Sequence, residues 1–186
     1  MTYSKGIPNM KKIAVTLLGL AALISSSAWA EGLSLGASVG YVNVEDNEPG
    51  FDFEANDTGY KLFANYEFSS RLAIEGGYID FGKPTDSFQG LSGQIDASGW
   101  NLYGVGNLPL SDGVDLFAKA GIVNWNADSI IDGVQVDNAD GNDLALGFGA
   151  RWKATESLGI RAEADWFDID EADSVWMASI GFELRF

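Results

Sequence analysis

From Val175 to Phe186 the chain alternates without a break. Trp176, Ala178, Ile180, Phe182, Leu184 and Phe186 fall on one side of an extended strand. Val175, Met177, Ser179, Gly181, Glu183 and Arg185 fall on the other, because successive side chains of a strand point to opposite faces. One face is apolar with an aromatic at each end; the other turns small and then charged. A barrel in water is filled with apolar side chains and wet outside, whereas a barrel in lipid is apolar outward and polar inward. The pattern fits the second arrangement, and eight segments of the chain repeat it.

Before those segments the chain reads as an address. Lys11 and Lys12 precede an apolar run from Ile13 to Ile24, then three serines and Ala28-Trp29-Ala30. A basic stretch, a short apolar stretch and an A-x-A site make a secretory signal peptide, with Ala28 and Ala30 setting the cleavage point. The apolar run has 12 residues, too few for a membrane helix, which takes about 20. Residues 1–30 are therefore expected to be removed, leaving a single domain over 31–186; Met10 is a possible alternative start. Removal takes away Lys5, Lys11 and Lys12, three of the 11 basic residues. Eight then remain against 27 acidic ones, and the net charge falls from −16 to −19. Nucleic acid is excluded as a partner, since phosphate binding needs a basic surface. Cysteine is absent, so no disulfide or thiol chemistry is available.

The alternating segments follow in order. The first, Leu33 to Val44, places Leu33, Leu35, Ala37, Val39 and Tyr41 outward. The second has Tyr60, Leu62, Ala64, Tyr66 and Phe68 outward, and the third has Leu72, Ile74, Gly76 and Tyr78. In the fourth, Gly99 to Leu108, Trp100, Leu102, Gly104, Gly106 and Leu108 compete for the outward face with Tyr103 and Val105. The fifth shows Val114, Leu116, Ala118, Ala120 and Ile122, and the sixth Leu144, Leu146, Phe148, Ala150 and Trp152. The seventh shows Leu158, Ile160, Ala162, Ala164 and Trp166, and Val175 to Phe186 closes the set. Connections are expected at 45–57, 83–98, 126–142 and 168–173, polar at 83–98 and acidic at the other three, with brief turns at 69–70, 109–113 and 154–157.

Three features favour a membrane barrel. Connections alternate long and short, as external loops and periplasmic turns do. An even strand number puts both ends of the barrel on one side. Outward aromatics sort into two levels, Tyr41, Tyr60, Tyr78, Trp100, Trp166 and Trp176 at one end and Tyr66, Phe68, Trp152 and Phe186 at the other. Two girdles around an aliphatic band suit amphipathic rings at two interfaces. The fold class expected is all-β, an eight-stranded antiparallel up-and-down transmembrane β-barrel. Register is fixed by cost, because a one-residue slip would turn Glu183 and Arg185 to lipid. Arg at mid-membrane costs about 2–4 kcal/mol there.

Short motifs then carry a resemblance. Leu62-Phe63-Ala64-Asn65-Tyr66 with Leu72-Ala73-Ile74-Glu75-Gly76-Gly77-Tyr78 resembles the second hairpin strands of the OmpA-like transmembrane barrel family. Leu108-Pro109-Leu110-Ser111-Asp112 and Leu116-Phe117-Ala118-Lys119-Ala120-Gly121 are similar to its central hairpin. The ending Ser179 to Phe186 resembles its final strand, with Phe182, Leu184 and Phe186 as the aromatic-ended signal for the barrel-assembly machinery. The resemblance implies an outer-membrane location among lipid and lipopolysaccharide, a monomer, and no cofactor. Many relatives carry a peptidoglycan-binding domain after the barrel; none follows Phe186 in this sequence, so cell-wall tethering is not expected.

Within this register seven of the eight remaining basic residues face the lumen or its rim: Lys61, Arg71, Lys119, Arg151, Lys153, Arg161 and Arg185. Glu67, Glu75, Asp115, Glu163, Asp165 and Glu183 face the same space. Eight strands leave an interior just wide enough for side chains, and unpaired buried charge is costly. A structural polar plug is expected, with a narrow porin-like ion path as the alternative; a soluble periplasmic ligand-binding barrel is a third reading. Histidine is absent, which removes Ser-His and Cys-His catalysis. No enzyme is expected. No metal site is expected either, since Ala139 and Gly141 break the calcium-loop spacing after Asp137. The acidic loops are expected to serve interaction, with divalent cations bridging to lipopolysaccharide phosphates as a sharper possibility.

Overall fold

A computed structural model describes residues 32–186, apart from 49–50, 89–90, 132–133, 170–171 and 173. The expected signal peptide, with its expected cleavage residues Ala28 and Ala30, lies outside the described residues. The described chain is all strand and turn: β1 (Leu33–Glu48), β2 (Phe51–Ser69), β3 (Leu72–Asp80), β4 (Thr85–Phe88), β5 (Leu91–Ser111), β6 (Val114–Ile131), β7 (Val134–Lys153), β8 (Leu158–Asp168) and β9 (Ser174–Arg185). Every pairing is antiparallel and nearly all join sequence neighbours. Two further ladders, β1 with β9 and β3 with β5, close eight strands into a barrel. The short β4 is left as an addition on one edge of β5. Closure satisfies the backbone without exposing an edge in the barrel wall, the condition for a sheet in lipid.

The outward face is apolar along the barrel wall. Leu62, Leu72, Trp100, Leu108, Phe148, Ile180 and Phe182 are among its exposed side chains. The fourth segment keeps its expected register: Trp100 and Leu102 are exposed, while Tyr103 and Val105 are buried inside. Both aromatic levels are present, with Tyr41 on Trp176 (5.6 Å between ring centroids) and Tyr78 on Trp100 (5.2 Å) at one level and Tyr66 on Phe68 (5.8 Å) at the other.

The long connections differ from expectation. Segments 45–57, 83–98 and 126–142, anticipated as loops, are largely strand: β1 runs to Glu48, β5 begins at Leu91, and β6 and β7 reach Ile131 and Val134. Their Asn, Asp and Gly content hid this, because the lipid-facing apolar signal ends where lipid ends. Ladder hydrogen bonds need no such signal. Along β6 the outward residues change from Leu116, Ala118, Ala120 and Ile122 to Asn124, Asn126 and Asp128. The inward ones change in the opposite sense, from Asp115 and Lys119 to the buried Val123 and Trp125.

The outward change recurs on every barrel strand. Stepping away from the short turns, the outward residue passes from Tyr41 to Asn43, Tyr60 to Thr58, Tyr78 to Asp80 and Trp100 to Ser98. It passes likewise from Ile122 to Asn124, Leu144 to Asn142, Trp166 to Asp168 and Trp176 to Ser174. Polar groups pair along this ring: Tyr60 donates its hydroxyl to Asp80 at 2.7 Å, and Asn124 donates to Asn142 at 3.1 Å. Beneath the ring the interior is largely apolar, with Val42, Ile79, Phe81, Val123, Phe167 and Met177 at most 2% exposed and Asp57 and Asp143 as the inward carboxylates opposite Val42 and Val123. The partition of a soluble sheet thus stacks on the partition of a membrane barrel without a break in register.

Candidate functional site

The interior charges form two groups. Around the middle of the lumen stand Lys61, Lys119 and Arg161 with Glu75, Glu163 and Asp165, three cations and three carboxylates, all with side chains at most 5% exposed. Glu163 is the hub. It accepts from Lys61, from Lys119 at 3.0 Å and from Arg161 Nη2 at 2.6 Å. Arg161 also donates to both oxygens of Glu75, at 2.5 and 3.2 Å, and Lys119 reaches Glu75 at 3.1 Å. Asp165 completes the group, paired with Lys61 and lying 2.9 Å from the Lys119 ammonium.

The second group lies toward the short turns. Arg151 meets Glu67 at 3.1 Å and Glu183 at 2.8 Å, Arg185 meets Glu183 at 3.0 Å, and Lys153 meets Asp115 at 3.2 Å. Again three cations face three carboxylates. Arg71, placed by sequence at the lumen or its rim, is exposed at the turn end and contributes its backbone carbonyl to Asn107 at 2.8 Å. The expected assembly residues Phe182, Leu184 and Phe186 lie outward and half-exposed on β9 and just beyond it.

Aromatic rings complete the central group, a role that the pattern of inward charges had not suggested. The Arg161 guanidinium carbon is 4.6 Å from the Phe63 ring centroid and 4.3 Å from that of Phe117, and Lys119 lies 4.5 Å over Tyr103. A ring face attracts a desolvated cation. The signal was available: Phe63 follows Lys61, and Phe117 precedes Lys119, by two residues on the same inward face.

Small residues make room for the group. A Cβ added to Gly147 would lie 2.4 Å from an Asp165 oxygen and 2.6 Å from Lys119 Cε. One added to Gly149 would lie 2.6 Å from the Phe117 ring and 2.8 Å from Glu163 Cβ. Chemically the arrangement offers matched, immobilised charge. Among the described residues no cluster of three or more carboxylates, histidines or cysteines suits a metal ion.

At the ribbon end Lys83 donates to Asp96 at 2.6 Å, and that hydrogen bond, then the Asp96 charge, holds its ammonium pKa above the ordinary value. Trp125 donates its indole N–H to Asp143 at 2.5 Å, anchoring the ribbons to the interior.

Residues 26–181 match the family described as OmpA-like transmembrane domain. Outer membrane protein A of Klebsiella aerogenes is 27% identical, the alignment covering 94% of this chain and 54% of that protein. The chain thus spans about half the length of the OmpA relatives it matches. The attachment invasion locus protein of Yersinia pseudotuberculosis is 24% identical over 94% of this chain and 97% of its own. In structure, Neisserial surface protein A superposes with a TM-score of 0.69 at 12% identity, over 84% of this chain and 98% of that one. Matched along nearly all of the described barrel, this chain belongs to the OmpA-like transmembrane domain family and is an integral β-barrel of the outer membrane.

Proposed function

We propose that this protein is a closed envelope barrel whose lumen is a structural plug and whose acidic external ribbons form its interaction surface. The carrying observation is charge matching: each of the six lumenal cations meets a carboxylate, and the central three are almost fully buried. Ions paired and held this way in a narrow interior oppose free diffusion. Planar-bilayer recording of the purified, refolded barrel tests this. Only baseline current is expected; steady, reproducible unitary steps would sink the plug and favour a narrow porin-like channel.

A catalytic role is not part of this proposal, since the sequence contains neither histidine nor cysteine and the inward carboxylates Glu163 and Asp165 are occupied by lysine and arginine partners. Export is proposed to proceed through cleavage after Ala30, which N-terminal sequencing of the membrane-inserted protein would check. The alternation ending on Phe186 is proposed as the segment that the assembly machinery reads, and the barrel is proposed to act as a monomer among lipid and lipopolysaccharide. Acidic ribbons repel lipopolysaccharide phosphates unless divalent cations bridge them. If calcium at constant ionic strength leaves ribbon mobility and thermal stability unchanged, that bridging is excluded.

A further inference from the structure

The lumen is unequal along its axis. Toward the periplasmic turns, Asn65, Asn107, Arg151 and Glu183 are 1%, 8%, 1% and 0% exposed. Yet both side-chain polar atoms of each asparagine, Arg151 Nη2 and Glu183 Oε2 have no hydrogen-bond partner in the protein. All four residues lie on the turn side of Lys61, Lys119 and Asp165 along their strands. Ser38 Oγ, which also lacks one, stands at the level of the central charges, where Asp165 Oδ1 faces the Lys119 ammonium at 2.9 Å, and Asn43 belongs to the outward face. On the external side the interior holds Val42, Ile79, Phe81, Val123, Phe167 and Met177, with Phe81 edge-on to Phe167 at 5.1 Å; the carboxylates opposite Val42 and Val123, Asp57 and Asp143, are occupied by the Lys83 backbone N–H and the Trp125 indole N–H.

Buried polar groups without protein partners are the places where ordered water binds, each water taking two to four hydrogen bonds, while apolar interiors stay dry. Access exists on one side. Glu67, Lys153 and Arg185 at the periplasmic mouth keep 30%, 32% and 24% of their side chains exposed. We propose that the periplasmic half of the lumen is a water-binding cavity lined by Asn65, Asn107, Arg151 and Glu183, ending blindly at the central charges and sealed outward by the apolar layer. The barrier to the outside is then the apolar layer, and the charge group is hydrated from the periplasm alone. The inference rests on the closed-barrel reading but assigns closure to a particular layer.

Water-to-protein magnetisation transfer on the full barrel refolded in lipid nanodiscs reads each layer separately. Cross-peaks from water are expected at the side-chain amides of Asn65 and Asn107 and at the Arg151 guanidinium. None is expected at the methyls of Met177, Ile79 and Val42. Water at those methyls, or silent asparagine amides, overturns the proposal. The double variant Phe81→Ala, Phe167→Ala opens the seal: cross-peaks should appear at Met177 and Ile79 and persist at Asn65 and Asn107. A heat-modifiable shift in gel mobility shows that the variant has folded, and a folded variant still dry at Met177 also overturns it. If the variant fails to fold, the wild-type spectrum decides. A conducting wild-type barrel would sink the plug reading and this one with it, whereas a silent barrel with a wet Met177 would sink this one alone.

Discussion

Glu163 shows how tightly one residue is held. It meets Lys61, Lys119 and Arg161 at once, in a place where water reaches about 1% of its side chain. Glu163→Gln keeps the shape and removes the charge, leaving three central cations against two carboxylates. Removing one partner of a buried ion pair costs about 3–5 kcal/mol, so the urea midpoint of the refolded barrel should fall by that equivalent. A midpoint within experimental scatter of wild type would contradict the hub role. Gly147 tests space rather than charge. Gly147→Leu drives a side chain into Asp165 and Lys119, and overpacking of this kind costs about 1–3 kcal/mol. A lower thermal midpoint for the heat-modifiable band is expected. At this scale the sequence told which charges point inward, because alternation fixes the side of each residue. It did not tell which charges meet. Lys61 and Glu163 are 102 residues apart, and their encounter depends on the stagger accumulated around the closed sheet, which no local pattern encodes.

Among the elements, β9 was the most legible and the β6–β7 ribbon the least. A strand in lipid is constrained on both faces, so its pattern is strong. Beyond the membrane the constraint on the outward face becomes polar and tolerant, and Asn, Asp and Gly suggest loop even where the ladder continues from Asn126↔Asp140 to Ile131↔Val134. The apolar interior of that region is carried by residues such as Val123 and Trp125 on β6 and Met177 on β9, one face of segments too mixed to stand out. The two zones predict different responses to the same substitution. Ile180 is 60% exposed midway along β9 between Trp176 and Phe186, and Ile180→Arg should destabilise the barrel in lipid vesicles by about 2–4 kcal/mol. Asn124→Arg, two residues past the last lipid-facing position of β6, should leave the unfolding free energy nearly unchanged. Equal losses at the two positions would misplace the boundary between zones.

For the whole molecule, the five tryptophans within the described residues make a depth gauge. Trp100 and Trp152 are 66% and 55% exposed at opposite girdles, whereas Trp125 is 3% exposed inside the barrel. In single-tryptophan variants, lipids brominated near the head group should quench Trp100 and Trp152 strongly and leave Trp125 bright; quenching of Trp125 would turn β6 over. The ring where Tyr, Trp, Ile and Leu give way to Asn, Thr, Ser and Asp is one outward step wide on every barrel strand. One outward step is about 6.8 Å along a strand, or about 5 Å along the membrane normal once a strand tilt of about 40° is allowed for. Sinking the protein by that distance would bring the polar side chains of this ring, all but the buried Asn43, into hydrocarbon together, and raising it would strip the ring and aliphatic side chains below them of their lipid. The barrel therefore has a single stable depth. In a bilayer thicker or thinner than its apolar belt, the lipid must stretch or compress around it, and the strain is borne by the membrane while the ribbons keep a constant height above the head groups.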